Sequence, residues 1–119
     1  MTVPELYVAL NGNYDEAKSR LMNDRLIDKF VLKFLADPTM QTLHDAVASG
    51  DIEESFRAAH TMKGVAGNLA FTMLADAAHQ LTEQLRPRTD KADDALYAAV
   101  VRAYESTISA IKAYEAQKA

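Results

Sequence analysis

No cysteine occurs anywhere in the 119 residues, which excludes disulfides and thiolate metal sites. That absence fits a reducing compartment, and a cytoplasmic location is the expectation. Glycine and proline are scarce, at four and three, too few for a turn-rich all-β fold. No apolar run approaches the roughly 20 residues that a membrane span needs. Met1-Thr2-Val3-Pro4-Glu5 lacks the basic start and apolar centre of a secretory leader. There is no basic block, and a net charge of −4 speaks against a nucleic-acid surface. Alanine, leucine, lysine and glutamate are plentiful, and these residues favour helix. With 49% hydrophobic and 25% charged residues, the chain suits one domain over residues 1–119 with a single core.

Pro4 suits the first turn of a short helix ending near Leu10, because its missing N–H has no partner there in any case. Asn11-Gly12-Asn13 breaks the chain, and a second short helix is expected from Asp15 to Leu21. Asn23-Asp24 offers a turn and a cap. Ile27, Phe30, Val31 and Phe34 then define one helical face, and Met40, Leu43 and Val47 define another. The two faces are out of phase by about 160° at helical periodicity. Proline lacks a donor and restricts the residue before it, so a break is expected at Asp37-Pro38, with Asp37 capping the second piece.

Ser49-Gly50 ends that piece. Asp51 caps the next helix, with Glu54 placed to complete a capping box; this helix should run from Ile52 to about Ala70. Thr72 to Arg86 makes another, with Leu74, Ala78, Leu81 and Leu85 on one face and Pro87 as its stop. A last helix is expected from Lys91 to Gln117, its stripe formed by Leu96, Val100, Tyr104, Thr107, Ile108 and Ile111. Several amphipathic helices without a strand pattern imply an all-α, antiparallel four-helix bundle with short extra N-terminal helices.

The segment Phe56 to Ala70 carries the chemistry. Ile52, Phe56, Ala59, Met62, Ala66, Leu69 and Ala70 fall on an inward arc. His60, Gly64 and Gly67 share an exposed flank, and Lys63 lies between that flank and the core side. Neutral imidazole presents a nucleophilic lone pair near pH 7, and a neighbouring ammonium can compensate an arriving phosphoryl charge. A glycine inside a helix costs about 1 kcal/mol relative to alanine. Two within four residues need a reason, and close approach of another surface is the usual one. A flank histidine alone is ordinary surface; the combination gives it meaning.

Ala59-His60-Thr61-Met62-Lys63-Gly64-Val65-Ala66-Gly67-Asn68-Leu69 resembles the signature of histidine phosphotransfer (HPt) domains, a motif shared with the phosphoryl-accepting domains of chemotaxis kinases. The similarity extends through Arg20-Leu21 to Phe34, through Gly50-Asp51, and through Leu74 and Leu81-Thr82-Glu83. The resemblance implies that His60 accepts a phosphoryl group and that Lys63 neutralises it. It implies that Gly64 and Gly67 keep the surface low so that a response-regulator receiver domain, or a hybrid histidine kinase, can dock. Arg57, Thr61 and Asn68 are the candidate polar rim. The receiver would bring the aspartyl phosphate, the divalent metal and most of the catalysis. This chain would be a carrier, with no cofactor, no metal and no ATP site of its own. Two positions depart from the pattern. Ala70 stands where many members have glycine, and Thr82 where many have Glu or Gln. Thr82 can still hydrogen-bond and Glu83 is adjacent, which leaves the support of the histidine ring open.

His44 and His79 read as surface residues, and no HExxH or ExxH spacing supports a metal site built from the three histidines. Met22, Met40, Met62 and Met73 read as core or boundary filler. Asp90, Asp93 and Asp94 suit the positive end of the last helix. No GxxxxGK[ST] loop is present. The rival reading is a phosphate-independent interaction module using the His60 face. A small bundle enzyme or metal protein is a third. A free-standing monomer is the expectation.

Overall fold

A computed structural model describes residues 1–118. Seven helices lie among them: α1 Val3–Ala9, α2 Tyr14–Leu21, α3 Asp24–Phe34, α4 Thr39–Ser49, α5 Ile52–Asn68, α6 Thr72–Leu85 and α7 Asp94–Ala116. No strand occurs among the described residues. The helix α5 packs most extensively on α6, with α4 on its other side and α7 against α6. Short connections make sequential neighbours antiparallel. The bundle expected from the apolar stripes is therefore the fold observed.

Side chains start most of the helices. Thr2 and Glu5 form a reciprocal capping box on α1. Asn13, Asn23, Asp51 and Asp93 each accept a backbone N–H at the start of α2, α3, α5 and α7. Each such contact satisfies a donor that the first turn leaves unpaired. The break at Asp37-Pro38 is present. Pro38 occupies the cap position of α4, while the Asp37 carboxylate takes the Thr39 N–H at 2.8 Å. Gly50 ends α4 in the left-handed conformation, at φ 72°, where an L side chain would be strained.

Several details differ from the sequence expectations. Glu54 does not complete a capping box; its carboxylate pairs with Arg57 at 3.0 Å. Phe30 is not part of the inward face of α3 but is exposed, because Ile27, Val31 and Phe34 already fill that face. Met22 is exposed and has a positive φ of 80° in the α2–α3 turn. Helix α7 starts at Asp94 because Asp93 takes the cap role, three residues later than expected. The other stripes are as read: Leu74, Ala78, Leu81 and Leu85 of α6 are fully buried, as are Val100, Thr107 and Ile111 of α7.

The two N-terminal helices close the bundle end beneath the C-terminus of α5. Tyr7 is buried, and its hydroxyl donates to the Leu69 carbonyl at 2.7 Å. Its ring packs on Phe71, which meets Phe34 edge-on at 5.3 Å; Phe34 in turn packs on Tyr104. The Asn13 N–H donates to the Ala70 carbonyl, and the Met73 N–H to the Asn11 carbonyl. Gly12 is required there, because a Cβ at this position would lie 2.6 Å from the Ala70 carbonyl oxygen.

Candidate functional site

The helix α5 presents His60 by simple periodicity. Phe56, Ala59, Met62 and Ala66 are buried and fix the rotation of the helix. His60, Thr61, Gly64 and Asn68 are then exposed, and Lys63 and Gly67 are half-buried. His60, Lys63, Gly64 and Gly67 stand at i, i+3, i+4 and i+7, so they share one flank. A Cβ built on Gly64 or on Gly67 meets nothing within 4 Å. Packing within this chain therefore requires neither glycine. Each carries a helix-propensity cost of about 1 kcal/mol relative to alanine and leaves a low, open surface beside the imidazole.

The surrounding charges come from α5 and α6. Lys63 forms no ion pair among the described residues, whereas Arg57 is engaged by Glu53 at 3.2 Å and Glu54 at 3.0 Å. Arg57 thus belongs to a solvated ion-pair network one turn before His60. Glu83 of α6 is bound by Arg86 at 2.9 Å. The Arg86 hydrogen bond holds the Glu83 carboxyl below the usual carboxylate range, and His79 and Lys63 add weaker attractions of the same sign.

The support left open at Thr82 and Glu83 is absent from both. Thr82 is fully buried, and its hydroxyl donates to the Ala78 carbonyl of its own helix at 2.7 Å. The Glu83 carboxylate is engaged by Arg86. Among the described residues no hydrogen bond reaches the His60 ring. Instead, His60 stacks on Phe56, with ring centroids 5.9 Å apart and planes 11° from parallel.

Sequence reasoning missed three arginines. Arg86 and Arg88, at the end of α6 and just beyond it, lie over the Phe56 ring, with guanidinium carbons 5.4 and 3.5 Å from its centroid. Arg20 of α2 donates to the Gly67 carbonyl at 2.7 Å. It thereby satisfies an acceptor at the C-terminal end of α5, where a cation is favourable. Phe56 had a signal in the sequence, being one helical turn before His60; the arginines come from distant segments and had none.

The other histidines stand apart from this flank. His44 is exposed on α4, its Nδ1 3.0 Å from the Tyr97 hydroxyl. His79 is not a plain surface residue: it is half-buried on α6, and its Nδ1 is buried without a hydrogen-bond partner among the described residues. Among the described residues no group of three His, Cys, Asp or Glu side chains could hold a metal ion, and no helix is long and apolar enough to cross a membrane. A cavity of about 560 Å³ on the Asn68 side is lined by Leu21, Phe30, Phe34, Val65 and Leu69 with Arg20 and Lys33 at its rim, and does not include His60.

Fold and site together define an all-helical bundle with an exposed histidine on α5, a lysine one turn away and two glycines on the same flank. The family comparison is more specific: the Hpt domain model matches residues 32–114, and the chain belongs to that family. No curated protein and no solved structure matches the chain. Hpt domains are phosphoryl carriers of phosphorelay signalling rather than kinases, and their general partners are receiver domains and hybrid kinases. The match begins within α3, so α1 and α2, which brace the far end of α5, lie outside it.

Proposed function

We propose that His60 is the phosphoryl-accepting residue and that this chain exchanges the group with an aspartate of a response-regulator receiver domain. A ring nitrogen of neutral His60 attacks the phosphorus of the receiver's aspartyl phosphate. The P–N bond forms as the P–O bond to the aspartate breaks, and the aspartate leaves as carboxylate. Return transfer reverses each bond change. Lys63 meets the phosphoryl oxygens with its ammonium. Gly64 and Gly67 give the receiver clearance, with Arg57, Thr61 and Asn68 at the rim of the contact. Residues 1–119 act as one domain and as a monomer, which leaves the His60 flank uncovered.

The observation that supports this reading best is the open flank itself. His60 is exposed, Lys63 has no ion-pair partner among the described residues, and both glycines face space that nothing in the fold occupies. Transfer from a phosphorylated receiver should label the protein in an acid-labile, base-stable form, and His60→Gln should abolish the label. An unlabelled wild type that still binds the receiver would favour a phosphate-independent adaptor instead.

A further inference from the structure

We infer that Phe56 is a positioning residue for phosphoryl transfer, its ring setting the plane of the His60 imidazole, and that Arg88 holds that ring in place. The inference rests on His60 being the phosphoryl acceptor. It starts from a feature of the site: the nucleophile is exposed, the Thr82 hydroxyl is turned to its own helix, and among the described residues no hydrogen bond fixes the His60 ring. A free imidazole samples several orientations, and only some direct a nitrogen lone pair at an incoming phosphorus. Holding the ring in a reactive orientation beforehand lowers the barrier, because that ordering is not left to the transition state.

The fold supplies one contact that can do this. Phe56 lies one helical turn before His60, and the two rings are near parallel in an offset stack, a favoured arrangement for aromatic pairs. Phe56 is itself held. It is buried at 8% exposure on the core side, and the Arg88 guanidinium lies 3.5 Å from its ring centroid, within cation–π range. Arg88 has little freedom. Its Nε donates to Glu53 of α5 at 3.0 Å, its Nη1 to the Arg86 carbonyl at 2.8 Å, and its backbone N–H to the Leu85 carbonyl at 2.9 Å. Its backbone has a φ of 56°, uncommon for a residue other than glycine. Pro87 stops α6 and turns the chain so that Arg88 comes back over α5. The segment that ends one helix thereby clamps the ring beneath the histidine of another.

The test separates orientation from binding. Single-turnover transfer from a phosphorylated receiver is followed across receiver concentration for wild type, Phe56→Leu, Phe56→Tyr and Arg88→Gln. Phe56→Leu should lower the saturating rate constant by about two- to tenfold, the range an aromatic pair is worth. The half-saturating concentration should stay within about twofold of wild type, since binding contacts other than the ring persist. Phe56→Tyr should restore the rate, and Arg88→Gln should give a smaller loss. In parallel, proton NMR should show the His60 ring protons shifted by the Phe56 ring current in the wild type and in Phe56→Tyr, but not in Phe56→Leu. Arg88 is on the surface, so Arg88→Gln tests the clamp even where Phe56→Leu fails to fold. A wild-type rate in Phe56→Leu, an unshifted His60 ring in the wild type, or an Arg88→Gln protein unchanged in both rate and ring shift would overturn the inference. A wild type that accepts no label fails at His60 first, and its ring shift still reports whether the stack exists.

Discussion

Gly64 faces open space and Ala70 carries strain, and each of the two makes a prediction. Gly64→Ala should raise stability by up to about 1 kcal/mol, the helix-propensity difference, because the added methyl meets nothing. Gly64→Phe should leave the fold intact yet slow transfer from the receiver by tenfold or more, on the order of the misplacement penalties seen when reacting groups are held apart. Chemical denaturation and transfer kinetics on the same two proteins check both, and normal kinetics for Gly64→Phe would remove the clearance role. Ala70 adopts a φ of 56°, a left-handed conformation costing an L-residue about 1–2 kcal/mol. Glycine at this position, as in many Hpt domains, would relieve that strain. It would forfeit one buried methyl worth about 0.8 kcal/mol and add some chain entropy to unfolding. Ala70→Gly should therefore be near neutral and Ala70→Val clearly destabilising, as equilibrium unfolding will show. The sequence showed only that alanine stands where many members have glycine; the backbone angle reveals the strain.

Most of the helices were legible because they are marked twice, by a polar cap and by an apolar stripe; α6, with Phe71 at its cap position, has only the stripe. Asn13, Asn23, Asp51 and Asp93 cap four of them. Where the reading slipped, two residues competed for one role. Asp93 rather than a residue near Lys91 caps α7, and Arg57 rather than the backbone takes the Glu54 carboxylate. The partner of the histidine ring was illegible for a different reason. Support from its neighbours on α6 was left open by the sequence, and burial of Thr82 leaves its hydroxyl only the carbonyl one turn back. Arg88 reaches the site through a turn whose direction periodicity cannot give. The cap of the histidine helix itself should matter for stability and not for chemistry. Asp51→Ala should cost about 1 kcal/mol of unfolding free energy while leaving the saturating transfer rate unchanged at a temperature where the protein stays folded.

At the scale of the whole molecule, the N-terminal helices tie the bundle end to the histidine helix. Tyr7 belongs to that tie, and Tyr114 of α7 pairs with Asp28 of α3. Burial pushes both phenols above their usual range, and at Tyr114 the hydrogen bond to Asp28 adds to it. The folded state therefore holds these protons more tightly than the unfolded chain. Their contribution is fully present below the unfolded value near pH 10, and it is lost as pH rises above that toward the folded values. Stability should fall with rising pH beyond about 10. Tyr7→Phe should be less stable than wild type near neutrality by about 1 kcal/mol, for the lost Leu69 hydrogen bond, and the gap should narrow as pH climbs past 10 or so. Thermal unfolding at a series of pH values checks this; a gap that stays constant would mean that Tyr7 ionises as freely folded as unfolded. The bundle was legible in the sequence from its stripes. The aromatic tie was not, since Tyr7, Phe34, Phe71 and Tyr104 come from four separate elements and meet only once the helices have packed.

The central claim is that one histidine of three carries the phosphoryl group. It is tested most directly by phosphorus NMR of the protein after transfer from a phosphorylated receiver, compared across His60→Gln, His44→Gln and His79→Gln. A single phosphohistidine resonance should appear in the wild type and in the His44 and His79 variants, and none in His60→Gln. A resonance that survives His60→Gln, or one that disappears only when His44 or His79 is replaced, would contradict it.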